Sequence, residues 1–385
     1  MSKHRLPLFY AVTVLFWMSV YAYVPFVTPY AESMDADFRL IGLIAGAYGF
    51  VQMAIRFPLG ILSDKLRKRK IFILAGLLFA ALSGAVVFFA PHPVSLLVSR
   101  GFAGVTAATW VTVTILGASY GTADDTIKII GRLTAATGAA KLIAFLLGGL
   151  IAEWLGVRHA FLLGGITGFA GLLLGLGILE KTPDMPVGDA PKLSALLTVT
   201  RNRQLLCAAL LAVFSQYVQF AITFGFAPML AVRLGAEPYH LGLLGLIVAA
   251  ATLLVSPHMG RLLKAIGATY TLGGAFALAA LGSVLMAMCQ SLWQVFAAQL
   301  LIAIGAAGLM ALLMGLAIRD IPNETRATAM GFFQAVYGLG MFLGPFVMGW
   351  VSHSFTFNTA FLATGGVGVL GIMLSVLFVK RGWVR

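Results

Sequence analysis

The chain has 385 residues, of which 60% are hydrophobic and 10% charged. Soluble domains carry about 25% charged residues, and a water-exposed surface this apolar would aggregate. A soluble enzyme, a disordered chain and a nucleic-acid binder are therefore excluded, and the net charge of +13 needs another explanation.

Apolar runs between polar breaks predict twelve helices. In the first half they cover about 7–30, 40–63, 70–90, 94–117, 130–153 and 159–179. In the second half they cover about 204–231, 240–262, 268–289, 292–317, 327–351 and 358–379. Each is near the ~20 residues needed to cross the hydrocarbon of a bilayer. Helices satisfy their own backbone in lipid, and no run has the ten-residue alternation of a barrel strand. The first run follows Lys3 and Arg5 as a signal peptide would, but it is too long for one.

Of the 26 lysines and arginines, twenty fall on the side of the N-terminus. Arg39, Arg158 and Arg233 fall on the other side, and Arg56, Arg100 and Lys141 lie inside spans. This bias places both termini in the cytoplasm, so the charge sets topology rather than binding nucleic acid. The short loops suit a bacterial inner membrane. Cys207 and Cys289 fall near opposite faces, too far apart for a disulfide.

The two halves repeat at an offset of about 200 residues. Leu40-Ile41-Gly42-Leu43 matches His240-Leu241-Gly242-Leu243, and Gly149 matches Gly349. Ala160-Phe161-Leu162 matches Ala360-Phe361-Leu362, followed by Gly165/Gly365, Gly168/Gly368 and Gly171/Gly371. Six helices per half is even, so both halves insert alike. Such a parallel repeat places a site near the midplane between its halves. The predicted organisation is a bundle over 1–180, a cytoplasmic linker over 181–202 with Pro183, Pro186, Gly188 and Pro191, and a second bundle over 203–385.

Charges inside a membrane are costly and mark function by default. Lys141 lies about eleven residues into its helix, about 17 Å deep, and is expected to face a cavity. Arg100 lies about 10 Å from the outer face. It is read as a second cavity cation, with a purely structural role in holding the bundle as the alternative. Arg56 is near enough to the cytoplasm to snorkel. All thirteen carboxylates fall outside the spans or at their ends. Uncompensated cations in low dielectric favour a negatively charged cargo. An amine held there can also release its proton, which makes Lys141 a candidate proton carrier.

The loop after helix 2 reads Gly60-Ile-Leu-Ser-Asp64-Lys-Leu-Arg67-Lys-Arg-Lys70. It resembles the signature of the major facilitator superfamily, as do Arg100-Gly101-Phe-Ala-Gly104 in helix 4 and Gly340-Met-Phe-Leu-Gly344-Pro345 in helix 11. The second copy of the loop, Gly260-Arg-Leu-Leu-Lys264-Ala-Ile-Gly267, lacks the acid, and Arg67 stands where the family usually has glycine. Helix 5 has Ala144-Phe145 where the family's antiporters carry Gly-Pro, which leaves the direction of transport open.

The resemblance implies an all-α membrane fold of twelve transmembrane helices in two parallel-repeat bundles. It also implies a cytoplasmic latch at Gly60 and Asp64 and a cavity lined by helices 1, 4, 7 and 10. Candidate substrate contacts are then Arg100, Lys141, Trp17, Tyr21, Gln216, Tyr217 and Gln299. Trp17 and Tyr21, at i and i+4, share a helix face. The expected function is secondary transport of a small organic or amphiphilic anion by alternating access, coupled to protons or a second substrate. A multidrug efflux antiporter with an aromatic cavity, a lysolipid flippase and a non-transporting membrane sensor are the alternatives. The expected partners are a small molecule, membrane lipids and protons, with the chain acting as a monomer. No cofactor, metal or catalytic residue is expected: the six histidines show no metal spacing, and there is no phosphate-binding Gly-x4-Gly-Lys-Ser/Thr loop.

Overall fold

Long apolar runs in lipid pair their backbone groups within themselves, and helices dominate the computed structural model of the chain. It describes residues 5–66, 68–121, 123–180, 201–322 and 325–384, and no strand occurs among them. The expected linker lies almost wholly outside the described residues, as do Arg67 and the side chain of Asp64.

The first half contains α1 (Leu6–Glu32), α2 (Phe38–Leu66), α3 (Lys70–Phe89), α4 (Pro93–Ala118), α5 (Ala123–Leu155) and α6 (Val157–Leu176). The second opens with α7 (Arg203–Arg233), continues with the apolar stretch Pro238–Met286, and closes with α10 (Leu292–Ile318), α11 (Arg326–Ser354) and α12 (Phe357–Lys380). The 49-residue stretch Pro238–Met286 would extend about 74 Å as one helix, more than twice the ~30 Å hydrocarbon core. Gly267, at φ 79° and ψ 167°, divides it into α8 (238–266) and α9 (268–286). That backbone conformation is open to glycine because it has no Cβ. Among the described residues twelve crossings result, so α1 begins and α12 ends at one face, called here the terminal face.

The repeat extends to local geometry. The turn after α1 carries Asp35 at φ 60°, and the turn after α7 carries Gly235 at φ 86°, 200 positions later. The Ala36 amide donates to the Ala31 carbonyl at 3.2 Å, and the Ala236 amide donates to the Ala231 carbonyl at 2.9 Å. Both first helices change pitch at matching depth, α1 through a 3₁₀ turn at Val24–Phe26 and α7 through a π turn at Ile222–Phe226. In transporters such interruptions occur where helices line a cavity.

The halves meet along two seams, α2 against α11 and α5 against α8. Glycines permit the approach. A Cβ added to Gly46 would stand 2.8 Å from the Phe342 carbonyl oxygen, and one added to Gly49 would stand 2.6 Å from the Met341 Cβ. On the other seam, a Cβ on Gly245 would clash with the Phe145 ring. These contacts fill the half of each seam remote from the terminal face. Nearer that face, Gly60 and Gly331 on one seam and Gly131 and Gly138 on the other have nothing within 4 Å of an added Cβ. The halves are therefore packed together at the far end and splayed apart at the terminal end.

Polar contacts close the far end. Glu32 at the end of α1 pairs with Arg233 at the end of α7 at 2.6 Å. The Arg233 guanidinium also lies 4.3 Å from the Phe357 ring. The Thr28 hydroxyl donates to the Gly225 carbonyl, and the Glu153 carboxylate accepts from the Tyr239 amide at 3.2 Å.

Candidate functional site

Where the seams part, a cavity of about 390 Å³ opens between the halves. Both halves contribute walls. Trp17 and Tyr21 come from α1, Trp110 from α4, and Thr134, Thr137 and Lys141 from α5. Gln216, Phe220 and Phe224 come from α7, Met310 and Met314 from α10, and Gln334 and Tyr337 from α11. No carboxylate is among the described lining residues.

Lys141 is held by aromatic faces rather than by an acid. Its ammonium lies 4.7 Å from the centre of the Tyr21 ring and 5.8 Å from that of Trp17. Ring faces carry negative quadrupole density that attracts a desolvated cation. The rings are themselves braced: Trp17 meets Trp110 at 5.2 Å, and Tyr21 meets Phe145 at 5.6 Å. An ammonium held this way keeps its hydrogen-bond donors for a ligand. Thr134, Thr137 and Lys141 share a face of α5 at spacings of three and four, giving a polar stripe one turn apart.

Arg56 is the second cavity cation, and here the snorkelling expectation is corrected. Its side chain is 5% exposed and turns inward across α2 to α4. Nη2 donates to the Ala107 carbonyl at 3.1 Å, and Nη1 reaches the Tyr337 hydroxyl of the opposite half at 3.4 Å. With its amide oxygen facing the guanidinium, Gln52 accepts from Nη2 at 2.8 Å and from Nη1 at 3.2 Å. A backbone carbonyl and a side-chain amide within reach outweigh the path to water. One turn further along α2, Gly60 has nothing within 4 Å of an added Cβ.

The other expected contacts are placed differently. Arg100 does not line the central cavity. It is 4% exposed and sits behind Tyr21 and Tyr48 in a narrow pocket of about 10 Å³, its guanidinium 4.7 Å from the Tyr48 ring. Its Nε and Nη1 have no hydrogen-bond partner. Gln216 lines the cavity with a buried, unpartnered Oε1. Tyr217 follows it by 100° on the helix and turns away, its backbone meeting Gly340 and Gly344 of α11. Gln299 is buried, its Nε2 donating to the Thr223 hydroxyl at 2.9 Å. The cavity instead meets α10 two turns later, at Ala306, Ala307 and Met310. Gly60 lies at the splayed end, and Asp64 ends the same helix with its side chain outside the described set.

Sequence reasoning centred on α1, α4, α7 and α10 missed Gln52, Thr137 and Tyr337, and it directed Arg56 to the cytoplasm. The signal was present on α2, where Gln52 and Arg56 are four residues apart inside a span. It was also present on α5, where the threonine stripe leads to Lys141.

Two repeated six-helix bundles around a central cavity define a secondary transporter. The sequence model of the Major Facilitator Superfamily matches residues 9–235 and 205–382, and the chain belongs to that superfamily. It is similar to an uncharacterized MFS-type transporter of Methanocaldococcus jannaschii, at 23% identity over 89% of this chain and 91% of that one. It is also similar to the multi-drug resistance efflux pump PmrA of Streptococcus pneumoniae, at 26% identity over 94% and 91%. The multidrug resistance protein MdtG of Dickeya zeae is 25% identical over 93% and 90%. Among solved structures, a bacterial homolog of the human lysosomal transporter Spinster, inward-facing and unoccupied, superposes with a TM-score of 0.81 at 14% identity, covering 99% of this chain and 98% of that chain. At this identity the likeness concerns the fold.

Proposed function

We propose that the protein carries an amphiphilic organic anion with an aromatic or other flat apolar body, using Lys141 as its primary charge contact. The observation that carries this reading is the pairing of two cavity cations, Lys141 and Arg56, with a lining that contains no described carboxylate. In low dielectric an ammonium without a counter-charge is costly, and an anionic cargo supplies that charge. Trp17, Trp110, Tyr21 and Phe224 give the flat surfaces on which an apolar body stacks, and Gln216 offers an unpartnered acceptor for a donor group. The positive-inside bias assigns the terminal face to the cytoplasm, most simply that of a bacterial inner membrane, so the splayed end faces inward. Lys141 exchanges its proton when the cargo leaves, which couples flux to the proton gradient. The bound chain works as a monomer, with its site enclosed by its own two halves.

The test is flux in proteoliposomes with one aromatic scaffold presented as carboxylate, amide and amine. Carboxylate flux that exceeds amide and amine flux, and falls in Lys141→Gln, supports the reading; amine flux that survives Lys141→Gln overturns it. The aromatic walls favour a second reading, multidrug efflux, in line with the printed names of PmrA and MdtG. It predicts flux of all three compounds with little dependence on Lys141.

A further inference from the structure

The repeat makes its own exceptions visible, and the largest lies between α8 and α10. In the first half Arg56 of α2 donates to the Ala107 carbonyl of α4 at 3.1 Å. The corresponding bond in the second half, 200 positions on, runs from the Ser256 hydroxyl to the Ala307 carbonyl at 3.3 Å. The bond is kept, but a serine replaces an arginine. Ile115 becomes Gly315, Asp64 becomes Lys264, and Ser119 becomes Arg319. A branched aliphatic side chain is lost, an acid is exchanged for a base, and a second base is gained.

The result is a cleft of about 650 Å³ that shares Ser256 with the lining of the central cavity. Its walls are Met259, Leu263, Leu312 and Leu316. Gly260 and Gly315 are exposed, with nothing within 4 Å of an added Cβ, so no described helix fills the space. Lys264 and Arg319 form its rim. Lys264 lies 26 residues beyond the start of α8, about 39 Å along the helix, at headgroup depth on the terminal face. Arg319 follows the last residue of α10 at the same level. An apolar slot at hydrocarbon depth below a basic rim at headgroup depth matches an anionic phospholipid. A soluble anion would use the rim and leave the slot unfilled.

We infer that the α8–α10 cleft binds one anionic phospholipid of the terminal-side leaflet, an acyl chain along Gly260 and Gly315 and the phosphate between Lys264 and Arg319. This site is independent of the cargo of the central cavity.

The full chain, purified in detergent, is incubated with phosphatidylglycerol or phosphatidylcholine of identical chains, and bound lipid is counted by native mass spectrometry. Phosphatidylglycerol is retained in preference, one molecule per chain. The variant Lys264→Gln weakens retention about fivefold, one surface cation's worth. Gly315→Ile, which restores the side chain of the first half and leaves both charges, weakens it at least as much. Should Gly315→Ile elute as aggregate, Gly260→Val fills the opposite wall and carries the same expectation. Equal retention of the two lipids, full displacement by inorganic phosphate, or undiminished retention in the folded cleft-filling variant overturns the inference.

Discussion

Gly42 of α2 packs on Gly349 of α11 so closely that a Cβ on Gly42 would stand 3.0 Å from the Gly349 Cα. Their repeat equivalents do the same in exchanged roles: a Cβ on Gly242 of α8 would stand 3.0 Å from the Gly149 Cα of α5. The far end of the molecule is thus closed by one crossing used twice. Neither neighbour is a flexible side chain, so neither crossing accommodates a larger residue without the helices parting.

Gly42→Val and Gly242→Val each open the far end. With Cys207 and Cys289 replaced and a single reporter introduced as Phe224→Cys, an impermeant thiol reagent applied from the far side labels either variant faster than its parent. The packing loss costs about 1–3 kcal/mol of stability, visible as a lower Tm. Unchanged labelling would show that these crossings do not govern closure.

Gly60→Val has the opposite sign. Nothing lies near Gly60 in this conformation, so the folded form is barely affected, within about 0.5 kcal/mol. Transport falls because the terminal end cannot close, and far-side labelling of Phe224→Cys decreases. Normal flux in this variant would remove the latch role proposed for Gly60.

The Lys141 contacts separate charge from proton exchange. Lys141→Gln loses about tenfold or more in affinity for an anionic cargo, as expected for one charge-assisted hydrogen bond, read by competition binding. Lys141→Arg keeps the positive charge, but a guanidinium holds its proton at any working pH. It retains binding while losing flux driven by a pH gradient. Wild type and Lys141→Arg with the same pH profile would exclude Lys141 as the proton carrier.

The Arg56 cluster gives a ranking. Gln52→Leu removes the acceptor at 2.8 and 3.2 Å and destabilises the protein by about 1–3 kcal/mol, the cost of an under-satisfied buried group. Tyr337→Phe removes only the 3.4 Å contact, too long to be a strong bond, and costs less. Thermal unfolding in detergent orders them, and the reverse order would place the weight of the cluster on the opposite half.

The fold was legible in the sequence because lipid imposes a simple rule: each crossing needs an apolar run, and charges mark its ends. Eleven of the twelve crossings fall within about four residues of their expected bounds, including the α8–α9 break at Gly267, while α5 begins seven residues early, at Ala123. The site was half legible. Lys141, Trp17, Tyr21 and Gln216 converge on the cavity, as depth and helical spacing imply. Arg100, Tyr217 and Gln299 do not line it, for a reason that depth cannot reveal. Depth places a residue along the membrane normal, whereas rotation about the helix axis decides whether it meets cargo or a neighbouring helix. Gln216 and Tyr217 share a depth and part by one step of rotation. Arg56 shows the complementary gap, since its direction was set by Gln52 and the Ala107 carbonyl on another helix.

The doubled glycine crossing also bears on how such a chain can arise. A polypeptide of half this length, with glycines where Gly42 and Gly149 stand, would match a copy of itself across a two-fold axis, each glycine meeting the other's counterpart. Its interface would be isologous, and fusing the copies end to end would keep both contacts while freeing each half to diverge.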